Sequence, residues 1–279
     1  MELAASKWAL WAMRILFVLL VVLLYVPIAL LALFSFNAGD PSFPLEELTL
    51  NWYRRIVSNP LLVTALRRSA VVASISSLLA VALGVLVSFA LVRRRFRGKP
   101  VVSAVVFSPL VIPYVVFGIS LLVLFTAFDR FLTSTSGLFI GLGLHSVVIG
   151  HVVVSLPFTV LTIMPLLERL STDYEEAARD LGASAGQTFR RVTAPLLFPA
   201  LVSAFLIAFT LSFDEYAIAS FLSGTTPTWP VYLFAQLRVP SQLPQLLAVS
   251  SIILVASIGL VVGAEFARRG SQRKYDLDT

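Results

Sequence analysis

An all-α, polytopic membrane protein is the fold class this sequence predicts, and three observations predict it. Hydrophobic residues make up 58% of the 279-residue chain and charged residues only 13%, with a mean hydropathy of +0.92; few soluble domains of this length look like that. Six apolar stretches are each long enough to cross a hydrocarbon core, which needs roughly 20 helical residues. Unpaired backbone groups are costly in lipid, so these stretches are expected to be helices, not strands. The absence of cysteine excludes a disulfide framework and thiol chemistry, and says little about compartment.

The spans follow one another in order. The first is expected over 15–36; its apolar run is too long for a signal peptide and no small-residue cleavage site follows it, so it reads as a retained helix. The loop 37–66 carries Trp52 and Tyr53, amphipathic aromatics suited to the headgroup layer, and reads either as an interfacial turn or as a lip that meets an external binding protein. The second span, 70–92, spaces Ser74, Ser77, Gly84 and Ser88 for close helix contact. The basic run from Arg93 to Lys99 is a stop-transfer signal rather than a nucleic-acid patch. The third span, 101–128, contains Pro109 and Pro113 with Gly118 after them, which read as packing kinks or as a bend beside a pathway. The fourth covers 144–167. Its neighbours His145 and His151 are six residues apart, on different helix faces, so they build no metal cluster and suit polar helix-end roles. The fifth covers 196–220 and the sixth 246–267; between them, Gly224, Pro227, Pro230, Pro240 and Pro244 make an irregular, partly rigid loop.

Orientation follows from the basic residues. With the N-terminus in the cytoplasm, every Lys and Arg except Arg54, Arg55, Arg67, Arg68, Arg130 and Arg238 falls on the inside. Both termini are therefore expected to be cytoplasmic, and the net charge of +6 is explained by topology. The same orientation puts the polar segment 169–195, between spans four and five, on the inside.

That segment is ordered. Thr172 or Asp173 is placed to cap a helix whose first turn holds Glu175 and Glu176, where the dipole favours acids. Ala177 and Ala178 are small enough for a partner surface to approach the backbone. Gly182 is a natural stop. A second short helix is expected from about Ala185 to Val192, leading to Pro195 and back into the membrane.

The order Glu176-Ala177-Ala178, Gly182 four residues later, then Val192 and Pro195 resembles the EAA loop of permease subunits in ATP-binding-cassette (ABC) importers. Val192 and Ala194 depart from the family's Ile and Leu. The six-span length, the Trp-Tyr loop and the Ser-Phe-Asp-Glu segment at 212–215 resemble the spermidine/putrescine-type subgroup. The resemblance implies a single transmembrane permease domain and a coupling helix formed by Glu176, Ala177, Ala178, Gly182 and Pro195. It also implies two copies of a cytoplasmic ATPase that uses ATP and Mg, a second homologous permease subunit, and an extracytoplasmic solute-binding protein, all at a bacterial inner membrane.

Asp214 and Glu215 lie about 27 Å from the start of the fifth span, counted at 1.5 Å per residue from Leu196. Carboxylates at that depth are expensive unless they meet a partner or a wet cavity. Phe213, Asp214, Glu215 and Tyr216 are therefore the candidate solute-pathway residues, with an aromatic face offered to an ammonium group. Alternatively, one acid pairs with Arg238 or a partner subunit while the other sits at the interface. The expected solute is a polyamine or related cation.

Other signals fall away. Gly182 to Gly186 fits G-x-S-x-G, but no strand precedes it and no histidine is placed to serve it. The chain has no P-loop, so it binds no ATP itself, and neither a metal nor a cofactor is expected. A secondary transporter or channel would need no ATPase, but the matched repeats expected of one are not visible.

Overall fold

A computed structural model describes residues 7–276, and regular structure among them is helical, with a single antiparallel bridge between Asn37 and Leu48. Among the described residues, six helices are long and apolar enough to cross a membrane: Trp8–Phe34, Pro60–Arg93, Tyr114–Ser136, Leu144–Arg169, Ala185–Phe213 and Pro240–Gly259. The extreme termini, expected to be cytoplasmic, lie outside the described residues.

The chain divides into two units. The first comprises residues 1–60 and 236–256. Its α1 (Lys7–Phe34) leaves apolar side chains exposed along its length, Phe17 at 68% and Leu23 at 66%, as suits a helix whose solvent is hydrocarbon. Buried Asn37 organises the loop that follows. It donates to Asp40 O at 2.7 Å, accepts from Glu46 N at 2.7 Å, and its carbonyl receives the Trp52 Nε1–H at 2.8 Å. Tyr53 shares a hydrogen bond with Ser35 at 2.6 Å. The polar tips of both aromatics on α2 (Asn51–Ser58) thus close the loop. Gln245 donates to Arg55 O at 2.9 Å and joins this turn to the start of the last helix.

The second unit comprises residues 61–235 and 257–279. Within it run α3 (Pro60–Arg93), α4 (Lys99–Phe107), α5 (Tyr114–Ser136), α6 (Leu144–Arg169), α7 (Asp173–Asp180), α8 (Ala185–Thr188), α9 (Ala194–Phe213), α10 (Ala217–Leu222) and α11 (Trp229–Gln236); the last helix, α12 (Leu243–Asp276), ends there. The third span corrects the expectation of one helix over 101–128. α4 ends in a 3-10 turn, Ser108–Leu110, and α5 starts only after Pro113, which has no N–H to give and holds Ile112 away from helical backbone. Pro109 and Pro113 therefore break the helix rather than kink it.

The core of this unit gathers on α6. Thr159 donates to Ala80 O at 3.0 Å, and a Cβ on Gly84 would collide with Thr159, so the small-residue stripe of α3 lets α6 approach. Val72, Val147, Val154, Ile218, Ala219 and Leu222 form a buried cluster. The short α10 is wedged into it. A Cβ on Gly150 would meet Ile218 and Leu222, and one on Gly118 would meet Phe221 and the α10 backbone. The fifth span also ends early. It stops at Phe213 instead of running to 220, and α10 resumes at Ala217.

Candidate functional site

Two places carry the chemistry expected from sequence, and both lie in the second unit. The first is the loop from Leu170 to Pro195. α7 begins with Asp173, Glu175 and Glu176 in its first turn. The expected cap differs: Thr172 makes no side-chain bond, and Ser171 Oγ accepts from Asp173 N at 3.2 Å instead. Glu176 and Ala177 are exposed and Ala178 is half-buried. Gly182 takes φ +83°, a backbone that L side chains rarely adopt, and its N–H bonds Arg179 O at 2.8 Å to end the helix. Beside it Leu181 is 89% exposed, and Tyr174 at the start of α7 is 59% exposed, so both ends of α7 present bare apolar surface.

The inward face of α7 belongs to an acid that the sequence marks only as favoured by the helix dipole. Glu175 is buried and ion-pairs with Arg93 at 3.4 Å and with Arg179 at 3.4 Å. Arg93 also donates to Leu170 O at 2.8 Å. One guanidinium thereby ties the ends of α3 and α6 to α7. The position of Arg93 within a stop-transfer run hid that role.

A capping box follows, with Ser184 N donating to Gln187 Oε1 at 2.9 Å and Gln187 N to Ser184 Oγ at 3.4 Å. The separate second helix over 185–192 is corrected. α8 passes through a π turn, Phe189–Thr193, directly into α9, and Pro195, which has no N–H to give, is the second residue of α9, just past that π turn.

The second place is the interruption between α9 and α10, where the two acids part company. Glu215 is 6% exposed. Its Oε1 accepts from Ile218 N at 2.9 Å and its Oε2 from Ala219 N at 3.0 Å, while His151 Nε2 lies 3.2 Å from Oε2. His151 Nδ1 is 2.7 Å from Ser212 Oγ, which is 2.8 Å from Ser76 Oγ. His151 is 1% exposed, within α6 and not at its end, which corrects the helix-end expectation; His145 does sit at the end, bonding Gly141 O at 3.1 Å. The partner of Glu215 is therefore a histidine of α6 and not the Arg238 that the sequence offered for one of the acids.

Asp214 is exposed, with no partner to its carboxylate among the described residues. Tyr216, 38% exposed, stacks on Phe234 with ring centroids 4.1 Å apart, and Phe213 stacks on Phe209 at 5.9 Å. An unpaired carboxylate beside open aromatic surface suits an ammonium group. Among the described residues no three His, Asp or Glu side chains gather to hold a metal ion.

Residues 78–274 match the family described as binding-protein-dependent transport system inner membrane component. The spermidine/putrescine transport system permease protein PotC of Haemophilus influenzae is 34% identical over 247 residues, covering 88% of this chain and 92% of that protein. The putrescine transport system permease protein PotI of Escherichia coli strain K12 is 33% identical over 258 residues, covering 91% and 90%. In fold, the chain is similar to one from a bacterial ABC transporter involved in import of the acidic polysaccharide alginate. That likeness has a TM-score of 0.71 at 14% identity over 96% of both chains.

Proposed function

The chain belongs to the family of binding-protein-dependent transport system inner membrane components, and from that premise we propose that it passes a polyamine or related cationic solute. It is a permease component of an ABC importer and a multi-pass inner membrane protein, not an enzyme; ATP use by a partner ATPase is typical of this family. A channel or secondary transporter without an ATPase is not favoured by that membership.

The observation that carries the solute reading is Asp214. It is the exposed acid in the α9–α10 interruption, next to the stacked Tyr216 and Phe234. A diamine offers two cationic ends, which a carboxylate and an aromatic face bind by charge-assisted hydrogen bonding and by the ring quadrupole. The permeases PotC and PotI, named for spermidine and putrescine, support the same class.

The assembly proposed around the chain has two copies of the ATPase, a second homologous permease and an extracytoplasmic solute-binding protein. Both termini and α7 face the cytoplasm in this arrangement, and α7 is the coupling helix. Closure of the ATPase pair pushes on Glu176, Ala177 and Gly182, and the helices that follow Pro195 change access to the pathway. The exposure of Glu176, Ala177 and Leu181 supports this reading.

The test is uptake of labelled putrescine into proteoliposomes holding the full transporter. Asp214→Asn raises KM about tenfold or more, the effect of losing one charge-assisted hydrogen bond. Unchanged KM with Asp214→Asn removes the cation reading.

A further inference from the structure

The contacts of His151 do more than accompany a buried acid. Ser212 is the penultimate residue of α9, and Glu215 stands just before α10. His151 Nδ1 shares a hydrogen bond with Ser212 Oγ at 2.7 Å, and its Nε2 lies 3.2 Å from Glu215 Oε2. A single imidazole from α6 therefore bridges the interruption from both sides. The residues it spans are Phe213 and Asp214.

An interrupted helix in a membrane leaves N–H groups that lipid cannot satisfy. Glu215 takes up those of Ile218 and Ala219. The polar group that meets its carboxylate at that depth is His151, whose Nε2 is 3.2 Å from Oε2. Ser76 anchors Ser212 to α3 at 2.8 Å, and its own hydroxyl reaches Ala73 O at 3.3 Å. A continuous helix through 212–217 would rotate successive side chains by 100° each and carry Asp214 and Tyr216 to other faces.

We infer that His151, clamping Ser212 and Glu215 across the α9–α10 interruption, positions Asp214 and Tyr216 toward the solute. His151, Ser212, Glu215 and Ser76 are positioning residues, and none of them needs to touch the solute. The inference deepens the solute-path reading above and rests on it for its effect on uptake.

Two readouts test it in the full transporter. Ser212→Ala keeps the Glu215–His151 pair and cuts the bridge on the α9 side. It raises the KM for putrescine roughly fivefold, the scale of one hydrogen bond. His151→Leu alone strands a buried carboxylate and lowers the amount of inserted protein. His151→Leu combined with Glu215→Gln removes the charge, so the amount recovers while KM stays high. A merely structural pair would recover both.

The second readout needs no solute. The chain has no cysteine, so Tyr216→Cys reports the geometry through its reaction rate with a water-soluble thiol reagent. Adding Ser212→Ala changes that rate roughly fivefold or more. A rate within twofold overturns the clamp, even where Asp214→Asn impairs putrescine uptake. A changed rate upholds the clamp even where the wild-type transporter takes up no putrescine, a result that sinks the polyamine reading instead. Wild-type KM in the restored double variant also overturns it.

Discussion

Asp214 and Glu215 are neighbours in sequence and opposites in situation. The acid content of the fifth span was legible from residue type and depth, because carboxylates inside a membrane are rarely idle. That one acid pairs and the other stays open was an available alternative; which one, and with what, was not legible, since it depends on His151, 64 positions away and on another helix. Gly182 was readable for a different reason: a glycine after an acidic, alanine-rich turn needs only local geometry to be recognised. Its φ of +83° with open space around it makes backbone strain the whole cost of a side chain there. Gly182→Ala therefore costs about 1–2 kcal/mol in local loop stability and lowers ATP-coupled uptake several-fold. Gly186→Ala, also in open space but without a positive φ, leaves uptake unchanged. Equal effects of the two substitutions on proteoliposome uptake would remove the special standing of Gly182.

At the scale of elements, α7 is a short rod with two faces. Its outer face carries Glu176, Ala177 and the bare Leu181, and its inner face carries Glu175 against Arg93. Glu176 and Ala177 were singled out by their order along the chain, and the exposure of Leu181 was not. The inner pair escaped because Arg93 lies 82 positions before Glu175, in a basic run with an adequate topological explanation. A rod transmits force only if its far side is braced. Arg93→Ala leaves Glu175 partly buried without its tie to α3, at a cost of about 1–3 kcal/mol. The expected result is ATP hydrolysis that persists while uptake falls, with partial recovery in the exchange Arg93→Glu plus Glu175→Arg. Uptake and hydrolysis falling together, with no recovery on exchange, would show a folding contact only. The third span teaches a related point. Pro109 and Pro113 were visible, but whether paired prolines kink or break a helix depends on what receives the freed backbone groups.

Taken whole, the molecule shows what composition settles and what it leaves to packing. Six spanning helices follow from apolar runs alone, because lipid admits few other backbones. Their ends do not, as the early stop at Phe213 and the passage of α8 into α9 demonstrate. The interruption after Phe213 is maintained by side chains from α3 and α6, which no local window contains. Placement inside a transporter follows from family membership, and force entering through α7 is the mechanical claim that joins the parts.

That claim is tested most directly by the ratio of putrescine accumulated to ATP hydrolysed in proteoliposomes containing the full transporter, compared between the wild-type chain and Glu176→Lys. The account predicts that the variant inserts and hydrolysis continues, while accumulation falls to background. Accumulation at the wild-type ratio in Glu176→Lys would contradict it.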